Sequence, residues 1–199
     1  MIKAVIFDMD GVLVDSYPAW FHNFNYLRKA FGFSGISDSE YRKKAWSRGT
    51  KAVMNPYFPG CRYEDVSSAS INHFKRFLKY VDINQQSHET LKKISEKRLK
   101  IGLVSNTHKP IINLIFKHYR LNKYFDVVIS ADDVKKEKPD PEGLLKCIEK
   151  LKVKKNEVVY IGDAIYDEMA AKRARVKFVG YRRGKPKILQ LRSLLNFLE

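Results

Sequence analysis

Short, almost uninterrupted apolar segments recur along the chain, and they constrain its fold more than any other feature. Five of them, each three or four residues long, are bounded by polar turns, at 4–7, 101–104, 127–129, 158–161 and 177–179. They are too short for buried helices and too continuous for strands with one exposed face, so they indicate strands that are covered on both faces. Segments typical of helices lie between them, at 87–98, 110–119, 141–150 and 165–173. This alternation predicts a mostly parallel, doubly wound sheet.

The alternation is interrupted once, after the first strand, where a long segment with helical periodicity intervenes. A first amphipathic helix there is indicated by an apolar stripe of Trp20, Phe24, Leu27 and Phe31. A second is indicated by Val66, Phe74, Phe77, Leu78 and Val81. We therefore predict an α/β fold in which a Rossmann-like, doubly wound parallel sheet is formed by residues 1–15 and 86–199. Residues 16–85 are predicted to form a small, inserted α-helical cap domain.

Composition narrows the class of protein. The chain has 199 residues, of which 44% are hydrophobic and 30% charged, enough apolar material for a globular core. Only four apolar residues separate Lys3 from Asp8, so we expect no secretory signal, and no apolar stretch approaches the roughly 18 to 20 residues of a membrane span. Two cysteines, Cys61 and Cys147, without a CxxC pair, favour a reducing compartment. We expect a soluble, cytoplasmic protein.

The chain carries a large excess of positive charge. Its 38 Lys and Arg residues outnumber its 22 Asp and Glu residues, for a formal charge of +16. Such a field attracts anions, from phosphorylated metabolites to nucleic acid. Part of the excess lies in an acid-free segment, at Lys172, Arg173, Arg175, Lys177, Arg182, Arg183, Lys185 and Lys187. A solvated face is the favoured interpretation of this basic segment, and a nucleic-acid contact is the alternative.

Polar side chains follow several of the predicted strands at the point where each strand ends. Asp8 and Asp10 follow the first strand, Ser105 and Asn106 follow the strand at 101–104, and Asp163 follows the strand at 158–161. In an open parallel sheet, ligands bind beyond the carboxyl ends of the strands, so these groups are expected at one edge. Two carboxylates two residues apart on an extended segment point the same way, and such a pair recruits a cation or raises one pKa.

Four short motifs, in this order, resemble those of the haloacid dehalogenase superfamily, in its phosphatase branch with a helical cap. They are DMDGVLVDS at 8–16, VSN at 104–106, KP at 138–139 and GDAIYD at 162–167. Phosphoglycolate phosphatases and β-phosphoglucomutase-like proteins are the members that the sequence resembles most. The resemblance implies a Mg²⁺-dependent hydrolase of small phosphate monoesters that acts through an aspartyl-phosphate.

The resemblance also implies roles for individual residues. Asp8 would be the nucleophile, and Asp10 the general acid and then the base. Lys138 would stabilise the phosphoryl group together with the phosphate-binding Ser105 and Asn106. The metal ligands would be Asp8 and Asp163 through carboxylates, Asp10 through its backbone carbonyl, and Asp167 directly or through water. Asp167 lies one helical turn after Asp163 and is expected to face the same way.

The sequence does not decide which molecule finally accepts the phosphoryl group, or which substrate the protein binds. Dehalogenases and phosphonatases of the superfamily usually lack an Asp at the place of Asp10, so the resemblance implies phosphate-ester chemistry instead. Sugar phosphomutases of this type carry a cap histidine at the position of Trp20, so a phosphomutase is the disfavoured alternative. His22, Arg48 and Thr50, the last two within the segment 47–51, are candidates for substrate selection in the cap. A surface turn explains that segment equally well. The substrate and the oligomeric state do not follow from the sequence.

Overall fold

The computed structural model describes residues 1–46, 48–182 and 187–198, and two compact units can be distinguished within the chain. The first contains residues 1–15 and 83–199, and the second contains residues 16–82. The sequence predicts that the inserted domain ends at residue 85, and the second unit ends at residue 82. Among the described residues, no helix is both long and apolar enough to cross a membrane.

A six-stranded sheet forms the centre of the first unit. Its strands are β1 (Ala4–Phe7), β4 (Lys100–Val104), β5 (Val127–Ile129), β6 (Val158–Gly162), β7 (Lys177–Tyr181) and β8 (Lys187–Ile188). They lie in the order β5-β4-β1-β6-β7-β8, and every pair is parallel. Two further strands, β2 (Val14–Asp15) and β3 (Asp82–Ile83), form a separate two-stranded ladder. The predicted doubly wound parallel sheet is confirmed, and β8 is an addition to it.

Four helices connect the strands of the sheet. They are α5 (Ser87–Glu96), α6 (Lys109–Tyr119), α7 (Glu142–Leu151) and α8 (Ile165–Ala174). All four residues of β1 are fully buried, as expected of a strand that is covered on both faces. Side chains of α7 and α8 share one apolar cluster with β1, β4, β5 and β6, including Leu144 and Ala170. The strand order with right-handed connections places α5 and α6 on the opposite face of the sheet.

The second unit is helical. It contains α1 (Tyr17–Ala30), α2 (Asp38–Lys44), α3 (Thr50–Tyr57), α4 (Tyr63–Phe74) and a 3₁₀ helix (Lys75–Tyr80). Phe24 and Leu27 of the first predicted stripe are buried in an apolar cluster, and Trp20 and Phe31 pack against it. The second predicted helix is divided, because α4 passes into the 3₁₀ helix after Phe74. The predicted helical insert is confirmed.

Candidate active site

The carboxyl ends of β1, β4 and β6 bring the predicted site residues to one edge of the sheet. In register, Phe7 of β1 lies beside Leu103 of β4 and Ile161 of β6. Sheet bonding continues one residue past β1, where the Asp8 amide donates to the Ile161 carbonyl at 2.8 Å. The residues that follow these strands therefore converge on one place.

Lys138 lies at the centre of the site. Its side chain is buried, and its Nζ is 2.8 Å from Asp8 Oδ1 and 2.7 Å from Asp167 Oδ1. Nζ also donates to the carbonyl of Val104 at 3.2 Å and to the Tyr160 hydroxyl at 3.1 Å. Burial alone would lower the pKa of Lys138, but the adjacent carboxylates of Asp167 and Asp8 raise it above its ordinary value. Lys138 is therefore held as a cation.

The positive charge of Lys138 is too small to neutralise all the carboxylates near it. Carboxylate oxygens of Asp8, Asp163 and Asp167 lie within 4.8 Å of one another. Burial, and then the negative charge of Asp167, raise the pKa of Asp8 well above its ordinary value, and Lys138 offsets this only in part. Burial, and then Asp167, raise the pKa of Asp163 to about 7. Oxygen donors with surplus negative charge are the set that a hard divalent cation prefers, so these residues fit a metal ion.

Glycine is required next to Asp163. Gly11 has a φ of +79°, and a Cβ built there would lie 2.0 Å from Asp163 Oδ2. Any larger residue would displace that carboxylate, besides straining the left-handed backbone. The glycine after Asp10 therefore makes room for a second carboxylate from a different strand.

A second glycine makes room for Asp167. A Cβ on Gly162, the last residue of β6, would lie 2.3 Å from Asp167 Cβ. Asp167 is in the first turn of α8 and is almost fully buried. Its Oδ1 accepts from Lys138 and from the Tyr160 hydroxyl, each at 2.7 Å, and its Oδ2 accepts from the Ala164 amide at 3.0 Å. Three donors thus fix the orientation of this carboxylate.

Asp10 is held by a different set of contacts. Its Oδ2 accepts from the Thr107 hydroxyl at 2.9 Å and from the Ser105 hydroxyl at 3.4 Å. The Thr107 amide donates to Ser105 Oγ at 3.1 Å, so the turn after β4 is itself ordered by Ser105. The side chain of Asp10 is not one of the three clustered carboxylates. The site thus separates one carboxyl group, with its own hydroxyl donors, from the acidic cluster.

The side chain of Asn106 is hydrogen-bonded to the backbone of Lys138 and does not belong to the cluster of carboxylates. Its side-chain amide donates to the Lys138 carbonyl at 3.0 Å, and its side-chain oxygen accepts from the Lys138 amide at 2.9 Å. Both polar atoms of the side chain are therefore engaged by the backbone of Lys138. Its predicted role in binding phosphate stays a prediction.

The residues predicted for substrate selection belong to the second unit. His22 is exposed on α1, and its ring stacks on Tyr80 at a centroid distance of 4.4 Å. Arg48 is exposed, and Thr50 is the first residue of α3. Ser47, in the same segment, lies outside the described residues, as do Arg183 and Lys185 of the basic segment. The role of these residues in selecting a substrate stays a prediction.

The sequence interpretation missed Thr107 and Tyr160. Thr107 could have been found, because it is two residues after Ser105 in the same turn after a strand, where alternation places it on the same side. Tyr160 gave no signal, because an aromatic residue inside an apolar strand has the pattern of an ordinary core residue. In the structure, its hydroxyl connects the Lys138 ammonium to the Asp167 carboxylate.

The chain is similar to known proteins over most of its length. The family model for haloacid dehalogenase-like hydrolases matches residues 5–181. The phosphorylated carbohydrates phosphatase of Thermotoga maritima is 31% identical, covering 88% of this chain and 83% of that protein. Pyrophosphatase PpaX of Halalkalibacterium halodurans is 28% identical, covering 100% of this chain and 96% of that protein.

A solved structure shares the fold over the whole chain. It is that of a subfamily IA hydrolase of the same superfamily from Geobacter sulfurreducens, at 23% identity, with a TM-score of 0.76 and coverage of 100% of this chain and 97% of that one. The Asp8, Asp163 and Asp167 cluster fits the metal site of this family. The chain is a member of the haloacid dehalogenase-like hydrolase family.

Proposed function

We propose that this protein is a Mg²⁺-dependent phosphatase that hydrolyses a small phosphate monoester through an aspartyl-phosphate on Asp8. The observation that carries the proposal is the cluster of Asp8, Asp163 and Asp167, in which Asp8 and Asp167 contact the buried ammonium of Lys138. Family membership supports it, and so do relatives that are named for action on phosphorylated compounds.

The residues suit a Mg²⁺ ion bound mainly by oxygen. We assign Asp8 and Asp163 as carboxylate ligands and Asp10 as a ligand through its backbone carbonyl. Asp167 is assigned to bind through water, because its oxygens already accept three hydrogen bonds. When bound, Mg²⁺ supplies a charge that offsets the repulsion between an anionic nucleophile and a phosphate ester.

In the first half-reaction, a carboxylate oxygen of Asp8 attacks phosphorus, and the bond from phosphorus to the ester oxygen breaks. The phosphoryl group passes to Asp8, and the leaving oxygen takes the bonding electron pair and a proton from the carboxyl group of Asp10. The Thr107 hydroxyl, 2.9 Å from Asp10 Oδ2, fixes the orientation of that carboxyl group. This assignment gives Asp10 a place outside the acidic cluster, where it can carry a proton.

In the second half-reaction, Asp10 takes a proton from a water molecule, and the water oxygen attacks phosphorus. The bond from phosphorus to Asp8 breaks, which releases inorganic phosphate and restores both carboxyl groups. Lys138, 2.8 Å from Asp8 Oδ1, stabilises the negative charge at each transition state. The Ser105 hydroxyl and the Asn106 backbone amide are assigned to the phosphoryl oxygens.

Phosphate release tests the proposal. The purified protein is incubated with Mg²⁺ and p-nitrophenyl phosphate, 2-phosphoglycolate, a hexose phosphate or pyrophosphate. We expect release of phosphate from at least one of the three monoesters, its loss in EDTA, and a fall of at least about 10⁴-fold in Asp8→Asn, which lacks the nucleophile. Asp65→Asn is the matched control, since Asp65 is an exposed carboxylate of α4. Full activity in Asp8→Asn or in EDTA would refute the proposal.

The same assay separates hydrolysis from transfer. A hydrolase passes the phosphoryl group to water, so free phosphate accumulates in step with loss of the ester. A sugar phosphomutase returns it to a sugar, so the label of a ³²P-hexose phosphate would appear in an isomer of that sugar phosphate. Our proposal requires free phosphate as the main product.

A further inference from the structure

The edge of the sheet opposite the candidate active site is rich in cations. We call it the amino edge and define it by five segments, 1–3, 97–100, 120–126, 152–157 and 175–177, which lead into β1, β4, β5, β6 and β7 and include the first residue of β4 and of β7. It contains eleven basic residues, Lys3, Lys97, Arg98, Lys100, Arg120, Lys123, Lys152, Lys154, Lys155, Arg175 and Lys177. The same segments contain only two acidic residues, Asp126 and Glu157. All eleven basic residues are exposed.

The topology brings these segments together. In the parallel register, Ala4 of β1 lies beside Lys100 of β4 and Val158 of β6, and Val159 of β6 lies beside Lys177 of β7. Because helices run antiparallel to the strands that they connect, α5 to α8 all end at this edge, two on each face of the sheet. The cations therefore form one surface that extends across the sheet and both helical layers.

Four of these cations occupy an unusual backbone position. A basic residue with a left-handed backbone follows each core helix, directly after α6, α7 and α8 and one residue later after α5, with φ values of 57° at Arg98, 54° at Arg120, 55° at Lys152 and 58° at Arg175. Glycine is the usual residue there, because a Cβ is strained in that conformation. The fold therefore tolerates the same strain four times at one edge.

The helix dipole does not account for this choice. A cation near a helix C-terminus is favourable, but these helices already have basic residues in their last turns, among them Lys93, Lys117, Lys150 and Lys172. Glycine at the left-handed positions would remove the strain and leave those contacts intact. The four basic residues at the left-handed positions thus add positive charge to the amino edge that packing of the helix ends does not require.

The two acidic residues of the amino edge have internal partners. Asp126 Oδ2 accepts from the Ile101 amide at 2.8 Å, and Glu157 forms an ion pair with Lys3 at 2.6 Å. They neutralise little of the surface, which stays strongly positive in a chain whose formal charge is +16. Such a surface attracts a polyanion.

We propose that the amino edge binds the phosphate backbone of double-stranded nucleic acid. The aromatic residues of these segments, Tyr124 and Phe125, are half-buried and pack on His88 and Phe116, so they do not provide the stacking platform that single strands use. The strands from β5 to β7 span about 19 Å at the usual strand spacing. A duplex carries one charge per roughly 1.7 Å, or about eleven charges over that length.

This surface is separate from the candidate active site. Lys3 and Asp8 are at opposite ends of β1, about 16 Å apart along an extended chain. Binding at the amino edge therefore does not use the residues assigned to catalysis, and it does not depend on the proposed phosphatase reaction. An Asp8→Asn protein is expected to bind a duplex as the wild-type protein does.

Fluorescence anisotropy with a labelled DNA duplex of about 24 base pairs tests the proposal across about 50 to 200 mM salt. The principal variant combines Arg98→Gly, Arg120→Gly, Lys152→Gly and Arg175→Gly. Glycine suits the left-handed backbone, so the variant is expected to keep the wild-type melting temperature. We expect its affinity to fall by about 100-fold and its salt slope to decrease by about 3 to 4.

The matched control removes the same charge elsewhere, through Lys29→Gln, Lys43→Gln, Lys75→Gln and Lys79→Gln, all exposed in the second unit. We expect the affinity of this control to stay within about 3-fold of wild type, since it leaves the phosphate contacts of the amino edge in place. An equal loss in the control would show that net charge alone attracts the duplex and would overturn the proposal. Should the four-glycine protein fail to fold, the Lys123→Glu and Lys155→Glu pair replaces it, with the same expected direction.

Two further probes distinguish the partner. Stronger binding to single-stranded DNA of the same length would contradict the assignment to a duplex. Binding to phosphatidylserine vesicles without binding to the duplex would show that the amino edge contacts a membrane surface instead, and it would likewise overturn the proposal.

Discussion

The two edges of the parallel sheet have opposite charge and opposite exposure, although the same topology builds both. At the carboxyl edge, Asp8 and Asp167 contact a buried ammonium, and an oxygen of Asp163 lies within 4.8 Å of both carboxylates. At the amino edge, eleven exposed cations accompany two carboxylates. Buried charge must be matched in detail, so the first edge suits a metal ion and a small anion. Exposed charge keeps its hydration and acts collectively, so the second suits an extended polyanion. The difference lies in which residues occupy the connections, not in the fold.

Lys138→Met should have the largest effect on the carboxyl edge. The substitution keeps an unbranched apolar side chain, one atom shorter, but removes the ammonium that Asp8 and Asp167 share. We expect kcat/KM to fall by at least about 10³-fold, and the free energy of unfolding at pH 8 in EDTA to fall by about 3 to 5 kcal/mol. Phosphate release and urea unfolding measure the two effects.

The destabilisation in Lys138→Met should depend on pH. The pKa of Asp8 is raised in the folded protein, so folding favours the neutral carboxyl group. The free energy of unfolding therefore decreases as the pH rises through this raised pKa. Removal of Lys138 withdraws the one group that opposes this shift. The loss of stability should therefore be smaller at pH 5 than at pH 8, and a loss independent of pH would contradict the assigned electrostatics.

Gly11→Ala should have the next largest effect. The new Cβ would lie 2.0 Å from Asp163 Oδ2, so the carboxylate must move. We expect kcat/KM to fall by about 100-fold and Mg²⁺ to bind more weakly, as measured by calorimetry, because small displacements in a site are costly. Gly32→Ala is the matched control, because Gly32 has a φ of +84° but no atom within 4 Å of its would-be Cβ. Equal effects of the two substitutions would show that backbone strain, not the carboxylate, accounts for the loss.

Thr107→Val should have the smallest effect. It removes the hydroxyl that donates to Asp10 Oδ2 at 2.9 Å and keeps the volume of the side chain. We expect kcat to fall by about 10-fold, a part of the usual contribution of general acid catalysis, with KM nearly unchanged. Thr107→Ser retains the hydroxyl and should recover most of the activity. A rise in KM without a change in kcat would instead place Thr107 in substrate binding.

The positions of β1, β4, β5, β6 and β7 were predictable because each of these strands is a short, continuous apolar run, and burial on both faces produces that pattern. The placement of Asp8 and Asp163 at one edge followed, since a parallel topology brings the carboxyl ends of its strands together, whereas the role of Lys138 came from the family resemblance. Strand β8 was not predictable, because two residues, Lys187 and Ile188, are too few to show a pattern. Geometry thus follows from sequence where a repeated pattern encodes it.

Contacts between particular side chains were not predictable in the same way. The two bonds from Asn106 to the Lys138 backbone depend on the relative placement of two loops that are 32 residues apart. The basic residues at the left-handed helix ends were also concealed, because glycine is the residue that marks such ends in a sequence. Arg120 and Lys152 therefore read as ordinary surface charges until their backbone conformation was known.

One paired measurement tests the separation of the two edges most directly. The phosphatase kcat/KM and the affinity for a DNA duplex are determined for Asp8→Asn and for the protein with glycine at positions 98, 120, 152 and 175. We expect Asp8→Asn to lose phosphate release and keep wild-type duplex binding, whereas the four-glycine protein should keep phosphate release and lose about 100-fold in duplex affinity. If one variant lost both activities, or if both variants kept both activities, the two edges would not have the separate roles assigned to them.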